Sequence, residues 1–169
     1  SLAPDAIMMS PFSPQVDIPT ERIDALVHAF ENLSPDRLDQ LGQLYAPDVH
    51  FRDPFNDVKG LAAMRHIFED MYEQLMAPRF AIRHVAAQGS TLYLAWDFDF
   101  SIRVMGQNRS QHIEGLSECR WRCDRLPDGR MQWLIHTHWD HWDSATQVYA
   151  QLPVVGNLVL WLRRRISAS

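Results

Sequence analysis

Apolar residues recur at helical spacing through the first half of the chain. Their spacing of three and four residues predicts three helices, over 20–33, 34–46 and 61–76. Ser34 as an N-cap and Pro35 in the first turn favour a helix start at the second segment. A short extended segment over 49–53 precedes the third helix, and residues 57–60 are predicted to form a loop.

In the second half of the chain, apolar and polar residues alternate, as in a strand with one buried face. The alternation predicts four strands, over 80–87, 91–104, 110–123 and 131–143. Short turns containing glycine join these strands, so we expect an antiparallel meander. The order of elements predicts an α+β fold, with three N-terminal helices packed on one face of an antiparallel sheet.

The pattern divides the chain into three parts. We predict an extended, proline-rich arm over 1–19, one folded domain over 20–143, and a C-terminal helical extension over 144–169. The apolar run over 152–162 in the extension is too short to span a bilayer. The three arginines that follow also fit contact with a membrane surface. Docking of a short helix on the domain or on a second subunit is the favoured interpretation.

Composition narrows the classes of function. The chain has 169 residues, of which 46% are hydrophobic and 22% charged, as in an ordinary globular protein. A net charge of −5 disfavours nucleic-acid binding, because phosphate contacts need a basic surface. Cys119 and Cys123 lie four residues apart on a predicted strand, about 13 Å from each other, which is too far for a disulfide. Free thiols and no visible signal peptide predict a cytoplasmic location.

The two central predicted strands each have an apolar face and a charged face. Trp96 and Phe98 lie on the apolar face of the first, and Ser117 and Trp121 lie on that of the second. We interpret the charged face as structural or as a dimer surface. Gly115 and Ser117 are small for an inner face, so either they leave room for a cavity or helix side chains fill the gap. The sequence leaves both alternatives open.

The last predicted strand carries the strongest candidate chemistry. Alternation places five residues on one side of it, namely Leu134, His136, His138, Asp140 and Trp142. Titratable groups in a row on one face are solvated, paired or functional. A histidine and a carboxylate can form an acid–base dyad, the two histidines can bind a metal, or they can be structural core groups. The metal alternative is the weakest, because His-x-His spacing alone is a weak ligand signal.

Asp53 is the second candidate. It shares a face of the short extended segment with Phe51 and directly precedes Pro54. Burial beside Phe51 would raise the pKa of Asp53 and suit it to proton transfer. Alternatively, its carboxylate caps the turn before Pro54 or binds Arg52 at the surface, and spacing alone favours this structural alternative.

Two segments of the chain resemble the nuclear transport factor 2-like superfamily, which includes ketosteroid isomerases and SnoaL-like polyketide cyclases. The first segment, residues 44–54, reads LYAPDVHFRDP. The second combines GRM at 129–131 with HWDHWD at 138–143. The resemblance extends over about residues 20–143. It implies a cone-shaped fold, in which a strongly curved sheet wraps around the helices and a pocket opens at the wide end.

The resemblance also implies roles for individual residues. Asp53 takes the position of the proton-shuttling aspartate of ketosteroid isomerases, and Asp140 resembles the acid–base aspartate of SnoaL-like cyclases. The oxyanion donors of the isomerases are absent, because Leu26 and Ser117 stand at those positions. We therefore do not expect steroid isomerisation. One of two histidines on the last predicted strand, His136 or His138, can supply the donor instead.

These observations predict a SnoaL-like domain with four catalytic residues, Asp53, His136, His138 and Asp140, and with no metal or cofactor. The expected pocket lining is Phe51, Trp96, Phe98, Ser117, Trp121, Leu134 and Trp142. The expected activity is that of a cofactor-free lyase, isomerase or cyclase on a small hydrophobic carbonyl compound. The alternative is a non-catalytic domain for hydrophobic-ligand binding or dimerisation. We expect a homodimer formed through the outer sheet face.

Overall fold

A computed structural model describes residues 16–144 and residue 147. It contains helix α1 (Thr20–Glu31), a 3-10 helix (Pro35–Gln43) and helix α2 (Leu61–Gln74). The six strands are β1 (Tyr45–Arg52), β2 (Asp57–Lys59), β3 (Met76–Gln88), β4 (Thr91–Val104), β5 (Gln107–Arg125) and β6 (Met131–His141). Three helical segments and one sheet make an α+β fold, as the sequence predicts.

The strands form one six-stranded sheet in the order β2-β1-β6-β5-β4-β3. The antiparallel meander predicted for the second half of the chain is confirmed as β3 to β6. The prediction of a wholly antiparallel sheet is wrong, because β1 pairs with β6 in parallel. Parallel neighbours need a long connection, and here helix α2 and the meander provide it.

Two further predictions need correction. The predicted second α-helix is a 3-10 helix, whose repeat of three residues per turn matches the spacing of Leu38, Leu41 and Leu44. The predicted loop over 57–60 contains β2, which pairs with the end of β1. A three-residue edge strand is too short to show alternation in a sequence.

The core lies between the helices and the inner face of the sheet. Helix α1 buries Leu26 and Phe30, and α2 buries Met64 and Phe68. Every second residue of β4 faces these helices, which confirms the predicted alternation; the buried set is Leu92, Leu94, Trp96, Phe98 and Phe100. The aromatic rings of this set therefore line one wall of the space around the helices.

A β-bulge shifts the face assignment along β6. Arg120 on β5 pairs with Thr137, but the next residue, Trp121, pairs with Ile135. His136 is thus an extra residue on β6, and residues before and after it change sides. The prediction that Leu134, His136 and His138 share one side is therefore wrong. Ile135 before the bulge and His138 after it are the residues that face the core.

Several predictions concern the ends of the chain. The predicted arm over 1–19 and extension over 144–169 lie outside the described residues, apart from 16–19, 144 and 147. Ile18 belongs to the core, and its backbone N–H donates to the Gly89 carbonyl at 3.3 Å. Among the described residues, none of the helices combines the length and the apolar character that a membrane-spanning helix requires. Cys119 and Cys123 are both free, which confirms the prediction that they do not pair.

Candidate active site around His138 and Asp140

His138 is a buried imidazole in an aromatic environment. It follows the bulge on β6, and only 2% of its surface is exposed. Its ring lies 5.8 Å from that of Phe30 on α1 and 5.2 Å from that of Phe51 on β1, centroid to centroid. The parallel pairing of β1 with β6 sets this position, because Phe51 and His138 are register partners.

Both ring nitrogens of His138 are engaged in hydrogen bonds. Nδ1 lies 2.8 Å from the Tyr45 hydroxyl and 3.5 Å from Sγ of Cys119. Nε2 lies 2.8 Å from Oδ1 of Asp140. Neither nitrogen is left to reach a substrate, so the ring can hold its neighbours in place but is not exposed to a reacting molecule.

Asp140 connects this buried pair to the surface. Its side chain is 18% exposed, whereas that of His138 is 2% exposed. The Ser117 hydroxyl donates a hydrogen bond to the same Oδ1 atom that faces His138. Ser117 in turn accepts a hydrogen bond of 2.8 Å from the indole N–H of Trp96. Asp140 is therefore the accessible end of a buried hydrogen-bonded chain.

Negative neighbours stabilise the charged form of His138. Burial opposes protonation of the ring, whereas the charges that Cys119 and Asp140 can carry favour it. The attraction prevails, and the pKa of His138 lies well above its ordinary value of 6.5. Burial, with smaller contributions from Cys119 and Asp140, also raises the pKa of Tyr45. The pair of His138 and Asp140 thus favours an imidazolium beside a carboxylate.

Asp53 lies in the turn that follows β1. Its Oδ1 atom accepts hydrogen bonds from the backbone N–H groups of Phe55 and Asn56, each 2.7 Å long. The Asn56 side-chain amide donates to Oδ2 at 2.8 Å. The carboxylate therefore caps its own turn, as in the structural alternative that the sequence favours.

The carboxyl group of Asp53 is also electrostatically linked to Asp140. Burial raises the pKa of Asp53, and the hydrogen bonds from Asn56 and Phe55 oppose that shift. The nearby negative charge of Asp140 raises the pKa further, and the net pKa lies above the ordinary value. The structure thus brings Asp53, His138 and Asp140 into one neighbourhood.

The family model for the SnoaL-like domain matches residues 23–129. The chain belongs to the SnoaL-like domain family. No curated protein sequence matches the chain. Solved structures that resemble it nevertheless share its fold, and the fold expected from the nuclear transport factor 2-like resemblance is confirmed at that level.

Three solved structures illustrate the similarity. A SnoaL-like polyketide cyclase of Agrobacterium tumefaciens is 16% identical with a TM-score of 0.57, over 78% of this chain and 95% of that one. A nuclear transport factor 2-like protein of Burkholderia thailandensis is 14% identical with a TM-score of 0.59, over 79% and 96%. A protein of Catenulispora acidiphila with a ketosteroid isomerase-like fold, in complex with trimethylamine, is 15% identical with a TM-score of 0.58, over 79% and 93%.

His136, the fourth predicted catalytic residue of this SnoaL-like domain, lies away from the other three. The bulge turns it toward the outer side of the sheet, where its ring contacts Arg122 and Asp124. Its Nδ1 atom also lies 3.5 Å from Asp48. The two histidines therefore do not share a ligand-binding face, and the geometry does not bring them together on one metal ion.

The predicted pocket-lining residues divide into two groups. Four lie beside the His138–Asp140 pair or the Asp53 turn: Phe51, Trp96, Ser117 and Trp142, the last with its ring 5.3 Å from that of Phe55. The other three contact different residues. Trp121 lies below Arg22, Phe98 stacks on Phe80 at 4.3 Å, and Leu134 opposes Arg122 before the bulge.

A side chain of the neighbouring strand β4 fills the space beside Gly115. A Cβ atom added there would lie under 3.0 Å from three ring carbons of Trp96. The space beside Gly115 is therefore filled by the Trp96 indole of the same sheet. It is neither an open cavity nor filled by a helix side chain, which were the two predicted alternatives. The close approach places the Trp96 ring where its N–H can reach Ser117.

Tyr45 and Cys119 are site residues that sequence reasoning missed. Tyr45 is fully buried at the start of β1 and is 93 residues from His138 in the sequence. It lies within the predicted helix over 34–46, and no local pattern could reveal the parallel pairing of β1 with β6 that brings it to His138. Cys119 carried a usable signal, because it faces inward on the same strand as Ser117.

One group of possible metal ligands lies outside this site. Among the described residues, Asp97, His112 and Glu114 are close enough together to hold an ion. They lie on the outer face of the sheet, and Nε of Arg83 is already 3.0 Å from Asp97. The guanidinium of Arg83 therefore supplies a positive charge beside these carboxylates.

Proposed function

We propose that this SnoaL-like domain is a cofactor-independent acid–base catalyst for a small hydrophobic carbonyl compound, working as a lyase, isomerase or cyclase. The observation that supports this function best is the pairing of partly exposed Asp140 with buried His138. An aromatic surround excludes water and strengthens the electrostatic interactions of such a pair. The similar structure from Agrobacterium tumefaciens is that of a SnoaL-like polyketide cyclase, and polyketide cyclisation belongs to the same class of chemistry.

The proposed base is Asp140. Its carboxylate removes a proton from the carbon beside the carbonyl group, and the electron pair of that C–H bond moves into an enolate. His138 and Ser117 hold the carboxylate from behind through hydrogen bonds. His138, one of the two histidines predicted as the proton donor, instead holds Asp140 in this proposal, because both of its ring nitrogens are engaged.

The proposed donor to the carbonyl oxygen is Asp53. Burial raises its pKa against the opposing hydrogen bonds from Asn56 and Phe55, and in its neutral form the carboxyl group can donate a hydrogen bond to an enolate oxygen. Two carboxyl groups whose environments differ can divide the roles of acid and base between them. The interaction of Asp53 with Asp140 supports this division, because ionisation of one opposes ionisation of the other.

Deuterium exchange tests the proposed chemistry. The probe is 2-tetralone, an apolar ketone with acidic protons beside its carbonyl group, dissolved in D2O and followed by proton NMR. We expect the protein to accelerate exchange, and Asp140→Asn to reduce that acceleration by about 10²–10⁴-fold. Asp24→Asn, an exposed substitution on α1, is the matched control and should retain it. Exchange at the buffer rate, with and without Asp140→Asn, would contradict the proposal.

A specific observation favours a second candidate, the binding of a hydrophobic ligand without chemistry. The indole N–H of Trp121 is buried and has no hydrogen-bond partner. A ligand with an acceptor group could satisfy it and gain a hydrogen bond inside an apolar environment. Thermal stabilisation by a ligand that undergoes no exchange, reduced in Trp121→Phe, would support this function.

We also propose a homodimer formed through the outer sheet face, in a reducing, cytoplasmic setting. Tyr93 and Leu116 lie on that face with 38% and 39% of their surfaces exposed. Apolar side chains among charged ones are a common composition for an interface. The two free cysteines, of which Cys119 is buried, fit a compartment that keeps thiols reduced.

A further inference from the structure

The hydrogen bonds from Trp96 to Asp140 have a fixed direction. An indole nitrogen can only donate, so the contact of 2.8 Å between Trp96 and Ser117 makes the serine oxygen an acceptor. The serine hydroxyl then has its own proton available for Asp140, and it contacts Oδ1. Ser117 is 3% exposed, so water does not compete for this proton. The hydrogen bonds therefore all point in one direction: Trp96 donates to Ser117, and Ser117 donates to Asp140.

The same carboxylate oxygen faces His138. Nε2 of His138 lies 2.8 Å from Oδ1 of Asp140 and donates to it, both in the imidazolium and in the neutral ring protonated at Nε2. Oδ1 thus accepts from two buried donors. Oδ2 makes no hydrogen bond to the residues that the structure describes. The Asp140 side chain is 18% exposed.

We propose that Ser117 and Trp96 are positioning residues that reserve Oδ1 of Asp140 as an acceptor, so that Asp140 takes and returns its proton at Oδ2. This inference rests on the proposed function, since it assigns that function to one oxygen. An oxygen that already accepts two hydrogen bonds is a poor site for a third proton. The remaining oxygen belongs to a side chain that is 18% exposed, and its lone pair is the one proposed to receive the proton from carbon.

Other titratable groups also face Asp140 and enter any measurement of its protonation. Asp53 approaches from the turn after β1, and His138 lies on β6 beside it. Tyr45 on β1 interacts with Asp140 from behind His138. Cys119 on β5 contacts the His138 ring. These groups are unchanged in a Ser117 variant, so a difference between variants reports on the serine hydroxyl.

The titration of the Asp140 carboxyl carbon tests the proposal without a substrate. The full chain, labelled with 13C, is followed by NMR from acidic to neutral pH in the wild type, Ser117→Ala, Ser117→Thr and Ser110→Ala. We expect the midpoint of the Asp140 signal to move up by about one pH unit in Ser117→Ala, because the carboxylate loses a buried donor. Ser117→Thr keeps the hydroxyl and should restore the midpoint.

One control and one further variant complete the experiment. Ser110 lies on the same strand as Ser117 but is exposed, so Ser110→Ala should leave the Asp140 midpoint unchanged. Trp96→Phe removes the hydrogen bond that the indole N–H donates to Ser117. We expect the Asp140 midpoint to move up in this variant, but by less than in Ser117→Ala. Equal midpoints in the wild type and Ser117→Ala, or a Ser117→Thr variant that behaves as Ser117→Ala, would overturn the proposal.

The result is separable from the deuterium-exchange test. A shifted midpoint in Ser117→Ala together with no exchange in the wild type would leave the assignment of Oδ1 intact and remove the proposed activity. Exchange that depends on Asp140, with no shift in Ser117→Ala, would keep the activity and reject the role of Ser117. When both hold, Ser117→Ala should also move the acidic limb of the exchange rate to higher pH, while Ser117→Thr should not.

Discussion

His138 and Asp140 are two residues apart on β6, and Nε2 of the ring lies 2.8 Å from Oδ1 of the carboxylate. Residues at this spacing share one face of a strand, so the sheet itself holds the two side chains together. The ring is buried and the carboxylate is partly exposed. A buried cation and its accessible counter-ion therefore form a single unit, whose stability depends on pH.

Replacing His138 should remove part of the pH dependence of stability. The folded-state pKa of His138 is raised above 6.5, so its contribution is full below that pH and is lost as pH rises through the folded pKa. We expect the wild-type free energy of unfolding to fall on the alkaline side of 6.5, and His138→Gln to fall less. The variant should also be about 1–3 kcal/mol less stable at neutral pH. Urea unfolding across this pH range measures both effects.

His66→Gln is the control for this experiment, because His66 is an exposed histidine on α2 with 69% of its side chain accessible. Its stability curve should run parallel to that of the wild type. A His138→Gln curve that also ran parallel would show that the pKa of His138 does not change on folding.

Asp53→Asn should flatten the pH dependence of stability on the acidic side. The pKa of Asp53 is raised in the folded state, so the folded protein binds this proton more tightly than the unfolded chain does. The contribution of Asp53 to the free energy of unfolding is present below its ordinary pKa of 3.8 and is lost as pH rises through the folded-state pKa. The asparagine oxygen can still accept from Phe55 and Asn56, so the turn should survive.

The measurement is the free energy of unfolding of the wild type and Asp53→Asn in urea, from acidic to neutral pH. We expect the difference between the two proteins to change in favour of Asp53→Asn as pH rises. A difference that is constant over this range would mean that the hydrogen bonds in the turn cancel the effect of burial.

Gly115→Ala should destabilise the protein by about 1–3 kcal/mol, because the added methyl group would overlap the Trp96 ring. Moving that ring would also lengthen its hydrogen bond to Ser117. Gly42→Ala is the matched control, since its Cβ atom would lie 3.5 Å from Leu61, an ordinary contact. Thermal unfolding and the NMR signal of the Trp96 indole N–H report on both changes. Equal stability of the two variants would show that Trp96 moves aside without cost.

Leu116→Glu should convert the proposed homodimer into a monomer. Leu116 lies on the outer face of β5, and a buried charge at an interface lacks a partner. Sedimentation velocity at micromolar concentration distinguishes the two states. Met105→Glu adds the same charge at the exposed turn between β4 and β5 and should leave the dimer intact. A wild-type protein that sediments as a monomer would exclude this interface.

The sequence predicts the fold best where one strand runs without interruption. Residues 91–104 alternate strictly, and β4 has those bounds. Such a pattern arises because only one face of the strand is buried, and the polarity of each side chain shows which face that is. The meander follows because short turns leave only antiparallel neighbours for successive strands.

The candidate site is harder to predict, because it depends on one inserted residue and one long-range pairing. The His136 bulge shifts the alternation of β6, and nothing in the residue types marks that position. Asp140 and His138 were predicted from their types, but Tyr45 requires knowledge that β1 lies beside β6. Asp53 was predicted at the end of an extended segment but lies in the turn directly after β1, where its carboxylate caps the turn and burial raises its pKa.

The parallel pairing of β1 with β6 has a consequence for the order of folding. Tyr45 leaves the ribosome long before its partner His138, which is 93 residues later in the chain. Until the last strand emerges, the hydroxyl of Tyr45 and the ring of Phe51 have no imidazole to contact. Contacts between distant parts of a chain form slowly. The contacts of His138 with Tyr45 and Phe51 are thus absent from the nascent chain and form only after synthesis has passed the final strand.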